Sequence, residues 1–182
     1  ILKAFLEKSG CDEGLARLLG ETIAGAVKKI KISAEASNFK NAGTKAGSIN
    51  ASGEEQIALD VLANQIVLDE LKNSGLVSAA ASEEMEDVVE FEDEAAKQRR
   101  CFAVAFDPLD GSSLVSVNFA VGSIFGIYPA GAFIGRTGDE QLAACAAVYG
   151  PSTTLLVTVK SGTHEFVLES DGNFYLSRES LR

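Results

Sequence analysis

The segment CFAVAFDPLDGSS, residues 101–113, indicates the fold and the chemistry more clearly than any other part of the chain. Its first six residues are apolar and rich in strand-forming side chains, which predicts a buried strand over Cys101–Phe106. Pro108 fixes its own φ angle and has no N–H to donate, so we expect regular strand pairing to end at Asp107. Glycine and serine follow Asp110, and both favour a turn.

The same segment carries oxygen atoms suited to a small cation. The carboxylates of Asp107 and Asp110 flank the backbone carbonyl of Leu109, and together they offer the hard oxygen ligands that Mg²⁺ requires. The backbone N–H groups of residues 111–113 can face an anion, so a phosphate site beside the metal site is expected. Because Asp, Pro, Gly and Ser are all common in turns, a simple turn without a ligand is the alternative.

A second acidic element, Ser82-Glu83-Glu84, comes directly after a short apolar run that is predicted as a strand, Leu76–Ala81. Carboxylates at the ends of neighbouring strands can converge on the same cations. The alternative is a solvated loop, because eight of the twelve residues from Glu83 to Glu94 are acidic. The distal part of this run is expected to be exposed in either case.

Two amphipathic helices are predicted in the first half of the chain. Over residues 12–32, with Asp12 as the N-cap, the apolar positions follow helical spacing: they are Leu15, Leu18, Leu19, Ile23, Val27 and Ile30. The polar, glycine-bearing stretch Ser33–Ser52 predicts a loop. A second helix is expected from about Gly53 to Asn73, with Gly75 ending it.

Asp60 has two interpretations within the second helix. It stands between Leu59 and Val61, an unusual place for an ordinary surface acid, so it could point toward a functional site. It could also lie on the polar side of the helix, with Gln56 and Asn64 four residues before and after it. Helical spacing alone leaves both interpretations open.

Strand patterns dominate the second half of the chain. Predicted strands cover Val115–Tyr128, with a bulge or bend at Gly122, then Thr153–Lys160 and Glu165–Leu168, and a last hairpin turns at Asp171-Gly172 into Phe174–Leu176. Residues Gln141–Val148 are predicted as a short helix. Two long helices, followed by a largely antiparallel sheet with one inserted helix, correspond to the α+β class.

Composition argues against several classes of function. The 182 residues carry a formal net charge of −10, which disfavours binding to nucleic acid. No apolar run approaches the roughly 18 residues that would span a membrane. The three cysteines have no metal-ligand spacing, and the single histidine, His164, is expected to be structural.

Three motifs together resemble the superfamily of fructose-1,6-bisphosphatases and inositol monophosphatases. They are DPLDGSS at 107–113, the Ser82-Glu83-Glu84 element, and GSIFGIY at 122–128. Within that superfamily, YGPSTT at 149–154, GTHEF at 162–166 and residues 53–60 are more similar to sedoheptulose-1,7-bisphosphatases than to fructose-1,6-bisphosphatases. The resemblance implies a layered α/β sandwich of the sugar-phosphatase type, with two long helices packed on a largely antiparallel sheet.

The resemblance also implies roles for individual residues. The metal ligands would be Glu83, Asp107, Asp110 and the carbonyl of Leu109, holding two or three Mg²⁺ ions, with Mn²⁺ as a substitute. The attacking water would be oriented or deprotonated by Asp60, Glu84 and the Ser112 hydroxyl, and the phosphate would be held by Gly111, Ser112 and Ser113. The implied reaction is hydrolysis of the 1-phosphate of sedoheptulose 1,7-bisphosphate by metal-activated water, giving sedoheptulose 7-phosphate. Fructose 1,6-bisphosphate as the substrate, or a catalytically weak regulatory homologue, are the alternatives.

Further expectations from the resemblance concern the rest of the molecule. Residues 1–182 would form the N-terminal metal- and phosphate-binding domain, and the C-terminal sugar-binding domain would be absent from this chain. Relatives that are dimers or tetramers imply a homodimer or homotetramer. Glu54 stands where the family usually has Asp, and residues 41–46 lack the redox cysteines of plant sedoheptulose bisphosphatases. The missing cysteines favour a cytoplasmic location, with the plastid stroma as the alternative.

Overall fold

The computed structural model describes residues 1–36, 45–49, 55–91 and 102–181. In these residues, helices pack on one face of an eight-stranded, mixed but mostly antiparallel sheet, and a two-stranded hairpin stands apart from it. The predicted α+β class is therefore confirmed.

The helices lie in the first half of the chain. Their bounds are α1 Leu2–Lys8, α2 Glu13–Arg17, a π-helical segment Leu18–Ile23, α3 Ala24–Ala36 and α4 Ala58–Ser74. The Asp12 side chain accepts a hydrogen bond from the Leu15 N–H at 3.0 Å, which confirms Asp12 as the N-cap. Gly75 adopts a left-handed conformation with φ 66° and ends α4 as expected.

The strands of the main sheet run in the spatial order β10-β9-β8-β7-β6-β5-β3-β4. Their bounds are β3 Val77–Ser82, β4 Val89–Glu90, β5 Phe102–Asp110, β6 Val121–Pro129, β7 Ala143–Tyr149, β8 Thr153–Val159, β9 Gly162–Leu168 and β10 Phe174–Leu181; β1 Lys45–Ile49 and β2 Glu55–Ile57 form the separate hairpin. The pair β3 and β5 is parallel, and the other neighbouring pairs are antiparallel. The carboxyl ends of β3 and β5 therefore lie at the same edge of the sheet.

The predicted helix at Gln141–Val148 is wrong, because this segment is strand β7. Ala143, Cys145, Ala147 and Tyr149 are buried, and the residues between them are more exposed. This alternation has the period of a strand. Alanine-rich segments favour helix in isolation, but pairing with β6 and β8 on both sides decides the conformation here.

Several predicted boundaries also differ from the structure. The helix predicted over residues 12–32 contains a π-helical segment and continues to Ala36, and the short helix α1 precedes it. The second helix begins at Ala58 rather than near Gly53, because Glu55–Ile57 pairs with β1. Residues 37–44, 50–54 and 92–101 lie outside the described residues, so the predictions on Glu54 and Cys101 are not addressed.

One face of the sheet and the helices form the core. Its largest buried members include Phe125, Ile127, Leu155, Val157 and Phe166 from strands, and Leu19, Ile23, Val27, Val67 and Leu71 from helices. Each fully buried side chain of this kind contributes about 1.5–3 kcal/mol relative to exposure. On the opposite face, Ile124 and Val148 stay exposed, in keeping with strand alternation.

His164 lies in this core against α1. Its ring packs edge-on against Phe5, with ring centroids 4.7 Å apart. Its Nδ1 accepts a hydrogen bond from the Ser180 N–H at 3.2 Å, and its Nε2 lies 3.1 Å from the Ser161 hydroxyl. These contacts give the histidine a structural role, as expected. Among the described residues, no helix is both long and apolar enough to cross a membrane.

Candidate active site at the ends of β3 and β5

The parallel pairing of β3 with β5 brings the two acidic motifs together. Ser82 pairs with Phe106, and the Glu83 N–H donates a hydrogen bond to the Phe106 carbonyl at 3.0 Å. Glu83 and Asp107, which are 24 positions apart in the chain, therefore become neighbours across the pair. This places the Ser82-Glu83-Glu84 element beside the Asp107–Asp110 segment, as the sequence predicts.

Neighbouring negative charges influence the ionisation of Asp107. The pKa of Asp107 is raised to about 6, first by burial and then by the nearby negative charges of Asp110, Glu83 and Asp60. A hydrogen bond from the Leu109 N–H to Asp107 Oδ1, 3.0 Å long, opposes that rise because it stabilises the charged form. The negative charges of Asp110, Glu83 and Asp60 thus all act on Asp107.

Asp60 is buried in the first turn of α4, with a relative exposure of 2%. Its Oδ2 accepts a hydrogen bond from the Ile57 N–H at 2.8 Å, which supports the start of the helix. Of the two interpretations that helical spacing left open, the exposed polar position is therefore excluded. The carboxylate stabilises the start of α4, and its negative charge is among those that raise the pKa of Asp107.

Ser82 joins the end of β3 to α4. Its hydroxyl donates a hydrogen bond to Asn64 Oδ1 at 2.7 Å and accepts one from the Glu84 N–H at 3.2 Å. Asn64 follows Asp60 by one helical turn, so this contact holds Glu84 near the Asp60 face of the helix. The local sequence predicts no role in the site for Ser82 or Asn64, because their hydrogen bond joins residues that are 18 positions apart.

Strand β5 continues through Pro108 to Asp110, so the expected end of pairing at Asp107 is wrong. Asp107 pairs with Ile124, and Asp110 pairs with Gly122, so three steps along β5 match two steps along β6. The extra residue makes a β-bulge at Pro108-Leu109, which lets the strand accommodate the proline. The predicted irregularity near Gly122 is thus present, but the extra residue belongs to the partner strand.

The segment after the bulge turns sharply at Gly111. This residue has φ 77°, a left-handed conformation that favours glycine. A 3₁₀ helix then spans Ser112–Val117, where a long strand had been predicted to begin at Val115. Ser112 is partly exposed and Ser113 is exposed, so both hydroxyls lie within reach of a ligand in solution.

The donor atoms suit a hard divalent cation because all of them are oxygen. In the part of the chain that the structure describes, no three His, Cys, Asp or Glu side chains are grouped closely enough to hold one ion by themselves. Carboxylates at this spacing repel one another, as the pKa of Asp107 shows, and closer approach needs a compensating positive charge. To hold one ion together, these carboxylates would have to move closer to one another than they lie among the described residues.

A separate cavity of about 510 Å³ lies beside the 3₁₀ helix and was not predicted from the sequence. Its lining includes Lys31 from α3, Phe119 and Tyr149, and it contains none of the candidate metal ligands. The cavity and the acidic cluster are therefore two different places on the molecule.

Comparisons with known proteins identify the family of the chain. The family model described as "Fructose-1-6-bisphosphatase, N-terminal domain" matches residues 2–179. The chain belongs to the fructose-1,6-bisphosphatase family. The family resemblance that the motifs predicted is thus confirmed.

Relatives within the fructose-1,6-bisphosphatase family include both substrate types by name. The chain is 39% identical to a chloroplastic sedoheptulose-1,7-bisphosphatase of Spinacia oleracea, covering 98% of this chain and 45% of the relative. It is 42% identical to a class 1 fructose-1,6-bisphosphatase of Syntrophotalea carbinolica, covering 100% of this chain and 54% of the relative. The chain spans about half the length of these curated relatives.

A solved structure in the fructose-1,6-bisphosphatase family shows the same fold. The fructose-1,6-bisphosphatase of Leishmania major in its holo form superposes with a TM-score of 0.86 at 29% identity. The match covers 97% of this chain and 57% of that one.

Proposed function

We propose that the protein to which this chain belongs is a magnesium-dependent sugar bisphosphatase. The observation that carries the proposal is the parallel pairing of β3 with β5, which places Glu83 beside Asp107 and near the Gly111-Ser112 turn. A cation site beside a turn that can bind phosphate is the arrangement that phosphoryl chemistry requires. Membership of the fructose-1,6-bisphosphatase family supports the same activity.

Separate residues would bind the metal and the phosphate. The carboxylates of Glu83, Asp107 and Asp110, with the carbonyl of Leu109, would hold Mg²⁺, or Mn²⁺ in its place. When bound, the metal supplies positive charge that makes water more acidic and offsets the charge of the phosphate. Gly111, Ser112 and Ser113 would hold the phosphate that is removed, through backbone N–H groups and hydroxyls.

Asp60 and Glu84 are the proposed groups that orient the attacking water and take its proton. Asp60 is buried and held by the Ile57 N–H, while the hydrogen bond between the Glu84 N–H and Ser82 fixes the backbone of Glu84 near it. A carboxylate within hydrogen-bond reach of a water molecule can act as a general base toward it. The Ser112 hydroxyl would assist at the phosphate side.

The proposed substrate is sedoheptulose 1,7-bisphosphate, with loss of the 1-phosphate to give sedoheptulose 7-phosphate. The motifs in residues 149–166 and the spinach relative support this choice. Fructose 1,6-bisphosphate is the second candidate, which the relative from Syntrophotalea carbinolica and the description of the family model favour.

The test is phosphate release by the full-length gene product from both bisphosphates, with magnesium and after its removal by a chelator. We expect release that depends on magnesium, is faster with the seven-carbon substrate, and falls by about 10²- to 10⁴-fold in Glu84→Gln. Glu86→Gln is a matched control, because Glu86 is exposed two residues further along the same loop. The proposal would be contradicted if Glu84→Gln released phosphate as fast as Glu86→Gln, or if phosphate release continued after the chelator had removed magnesium.

Assembly and location remain predictions of this proposal. A homodimer or homotetramer is expected, and light scattering of the purified protein tests it. A cytoplasmic location is expected, although the spinach relative is named chloroplastic and makes the plastid stroma the alternative. Fractionation of the source cells distinguishes the two.

A further inference from the structure

The bulge in β5 contains a peptide group that side chains hold at both ends. The peptide between Pro108 and Leu109 is planar, so its carbonyl and its N–H move together. The Leu109 N–H donates to Asp107 Oδ1 at 3.0 Å, and the Pro108 carbonyl accepts a hydrogen bond from the Ser123 hydroxyl at 2.7 Å. A bulge disrupts the regular ladder, so these side-chain bonds satisfy backbone groups that would otherwise be poorly paired.

The Ser123 hydroxyl also forms a hydrogen bond with the Tyr149 hydroxyl. Ser123 is fully buried on β6, and its oxygen lies 2.8 Å from the Tyr149 hydroxyl on β7. A carbonyl can only accept a hydrogen bond, so Ser123 gives its single hydrogen to Pro108, and Tyr149 must donate to Ser123. Burial also raises the pKa of Tyr149, which keeps its hydroxyl protonated.

This chain of hydrogen bonds ends on the proposed metal ligands. The held peptide contacts the carboxylate of Asp107 through the Leu109 N–H, and it directly precedes the carbonyl of Leu109. The Leu109 side chain is 2% exposed, so the backbone around that carbonyl is anchored on the core side as well. Outer groups that orient metal ligands commonly set the affinity for the metal.

We propose that Ser123 and Tyr149 are positioning residues, which hold the Pro108-Leu109 peptide so that the Asp107 carboxylate and the Leu109 carbonyl face the cation. The inference rests on the proposed function, because it assigns the pair to the metal site of that reaction. Neither residue would contact the substrate or the metal. Their effect would pass through the bulge alone.

The test compares Ser123→Ala and Tyr149→Phe with a matched control, Ser78→Ala. The Ser78 hydroxyl also donates to a carbonyl of β5, that of Phe102, but at the far end of the strand. The control therefore removes the same kind of hydrogen bond without touching the bulge. Tyr149→Phe removes a single oxygen atom, so this variant can test the positioning role even if Ser123→Ala does not fold.

Two measurements are made on the full-length gene product. In the metal-free protein, exchange of the Leu109 amide hydrogen should become faster in Ser123→Ala and Tyr149→Phe but not in Ser78→Ala. In magnesium titrations extended into the millimolar range, the dissociation constant should rise about 10- to 100-fold for Ser123→Ala, by a smaller factor for Tyr149→Phe, and not at all for the control.

The outcomes separate this inference from the proposed function. Magnesium binding by the unmodified full-length protein, with unchanged affinity in both variants, would overturn the positioning role and leave the proposed function standing. Weakening of equal size in Ser78→Ala would overturn it too, because the effect would then be a general loss of stability. Failure of the unmodified full-length protein to bind magnesium at all would overturn both proposals.

Discussion

Asp107 is subject to opposing influences at the residue scale. The Leu109 N–H stabilises its charged form, whereas burial and the neighbouring carboxylates favour the protonated form and prevail, since the pKa rises to about 6. Keeping this group charged near neutral pH therefore costs free energy when no cation is present. For that reason, we expect substitutions in the cluster to act on metal affinity before they act on the stability of the fold.

Asp110→Asn provides a direct test of this expectation. The change keeps the size of the side chain but removes one charged oxygen ligand. Magnesium affinity should therefore fall by about 10-fold or more, since loss of a group that only orients a ligand already has an effect of that size. The melting temperature of the metal-free protein should stay the same or rise slightly, because one repulsive charge is lost. Calorimetric titration and thermal melts measure the two effects.

The control for Asp110→Asn is Asp87→Asn, which removes the same charge from an exposed residue between β3 and β4. It should leave magnesium affinity unchanged. If both variants bind magnesium equally well, Asp110 is not a ligand.

At the scale of elements, strands β6 and β7 lie unusually close together at Gly122. Gly122 pairs with Asp110 on one side and with Val148 on the other. A Cβ atom built there would lie 2.8 Å from the Ala147 carbonyl oxygen, which belongs to the backbone and cannot move aside easily. Glycine is therefore required by a close contact between strands, and its φ angle is not the reason.

Gly122→Ala should lower the free energy of unfolding by about 1–3 kcal/mol, because β6 must move away from β7. Gly138→Ala is the control, since a Cβ at that position meets no atom within 4 Å. Its effect should stay within about 0.5 kcal/mol. Urea unfolding curves measure both variants, and equal stability would show that the sheet absorbs the contact without strain.

The edge strand β10 is held to β9 by a charged pair. Arg178 donates two hydrogen bonds to the carboxylate of Glu165, 3.0 and 2.6 Å long, and the nearby guanidinium lowers the pKa of Glu165 below its usual 4.5. A lowered carboxylate pKa adds stability above about pH 4.5, and that contribution is lost as the pH falls through the folded-state value.

We therefore expect the backbone amides of β10 to lose protection against hydrogen exchange, relative to those of β7, as the pH falls below about 4.5. In Glu165→Gln, the β10 amides should have the lower protection at every pH and should not show this pH response. A response of the same size in Glu165→Gln would assign it to other carboxylates. The effect should be modest because Arg178 is largely exposed.

At the scale of the whole molecule, metal binding should be coupled to folding. Glu83 directly follows β3, whereas Asp107, Leu109 and Asp110 belong to β5, so the proposed ligands are brought near one another only in the folded chain. Magnesium should therefore stabilise the native state by about 2.7 kcal/mol at a concentration roughly 100 times its dissociation constant. Thermal melts with and without magnesium measure the gain.

The same melts on Asp107→Asn identify the site. The variant lacks one ligand, so its magnesium-induced shift should be much smaller at equal concentration. Equal shifts in the two proteins would mean that the cation binds elsewhere, and the proposed metal site would then be abandoned.

Features that depend on near neighbours in the chain were predictable. The helix cap at Asp12, the end of α4 at Gly75 and the turn at Gly111 each follow from the preferences of a few consecutive residues. The acidic segment at 107–110 was recognisable for the same reason, because its oxygen donors are contiguous. The family resemblance was also detectable from the sequence, since its motifs are short and keep their order along the chain.

Features that depend on distant pairing required the tertiary structure. The alanine-rich segment 143–149 is a strand because β6 and β8 flank it, whereas its composition favours a helix. The burial of Asp60, the link between Ser82 and Asn64, and the support of Pro108 by Ser123 join residues that no local pattern relates. Hydrogen bonds and packing between residues far apart in the chain exist only once the sheet has brought them together, so their partners were decided by the fold.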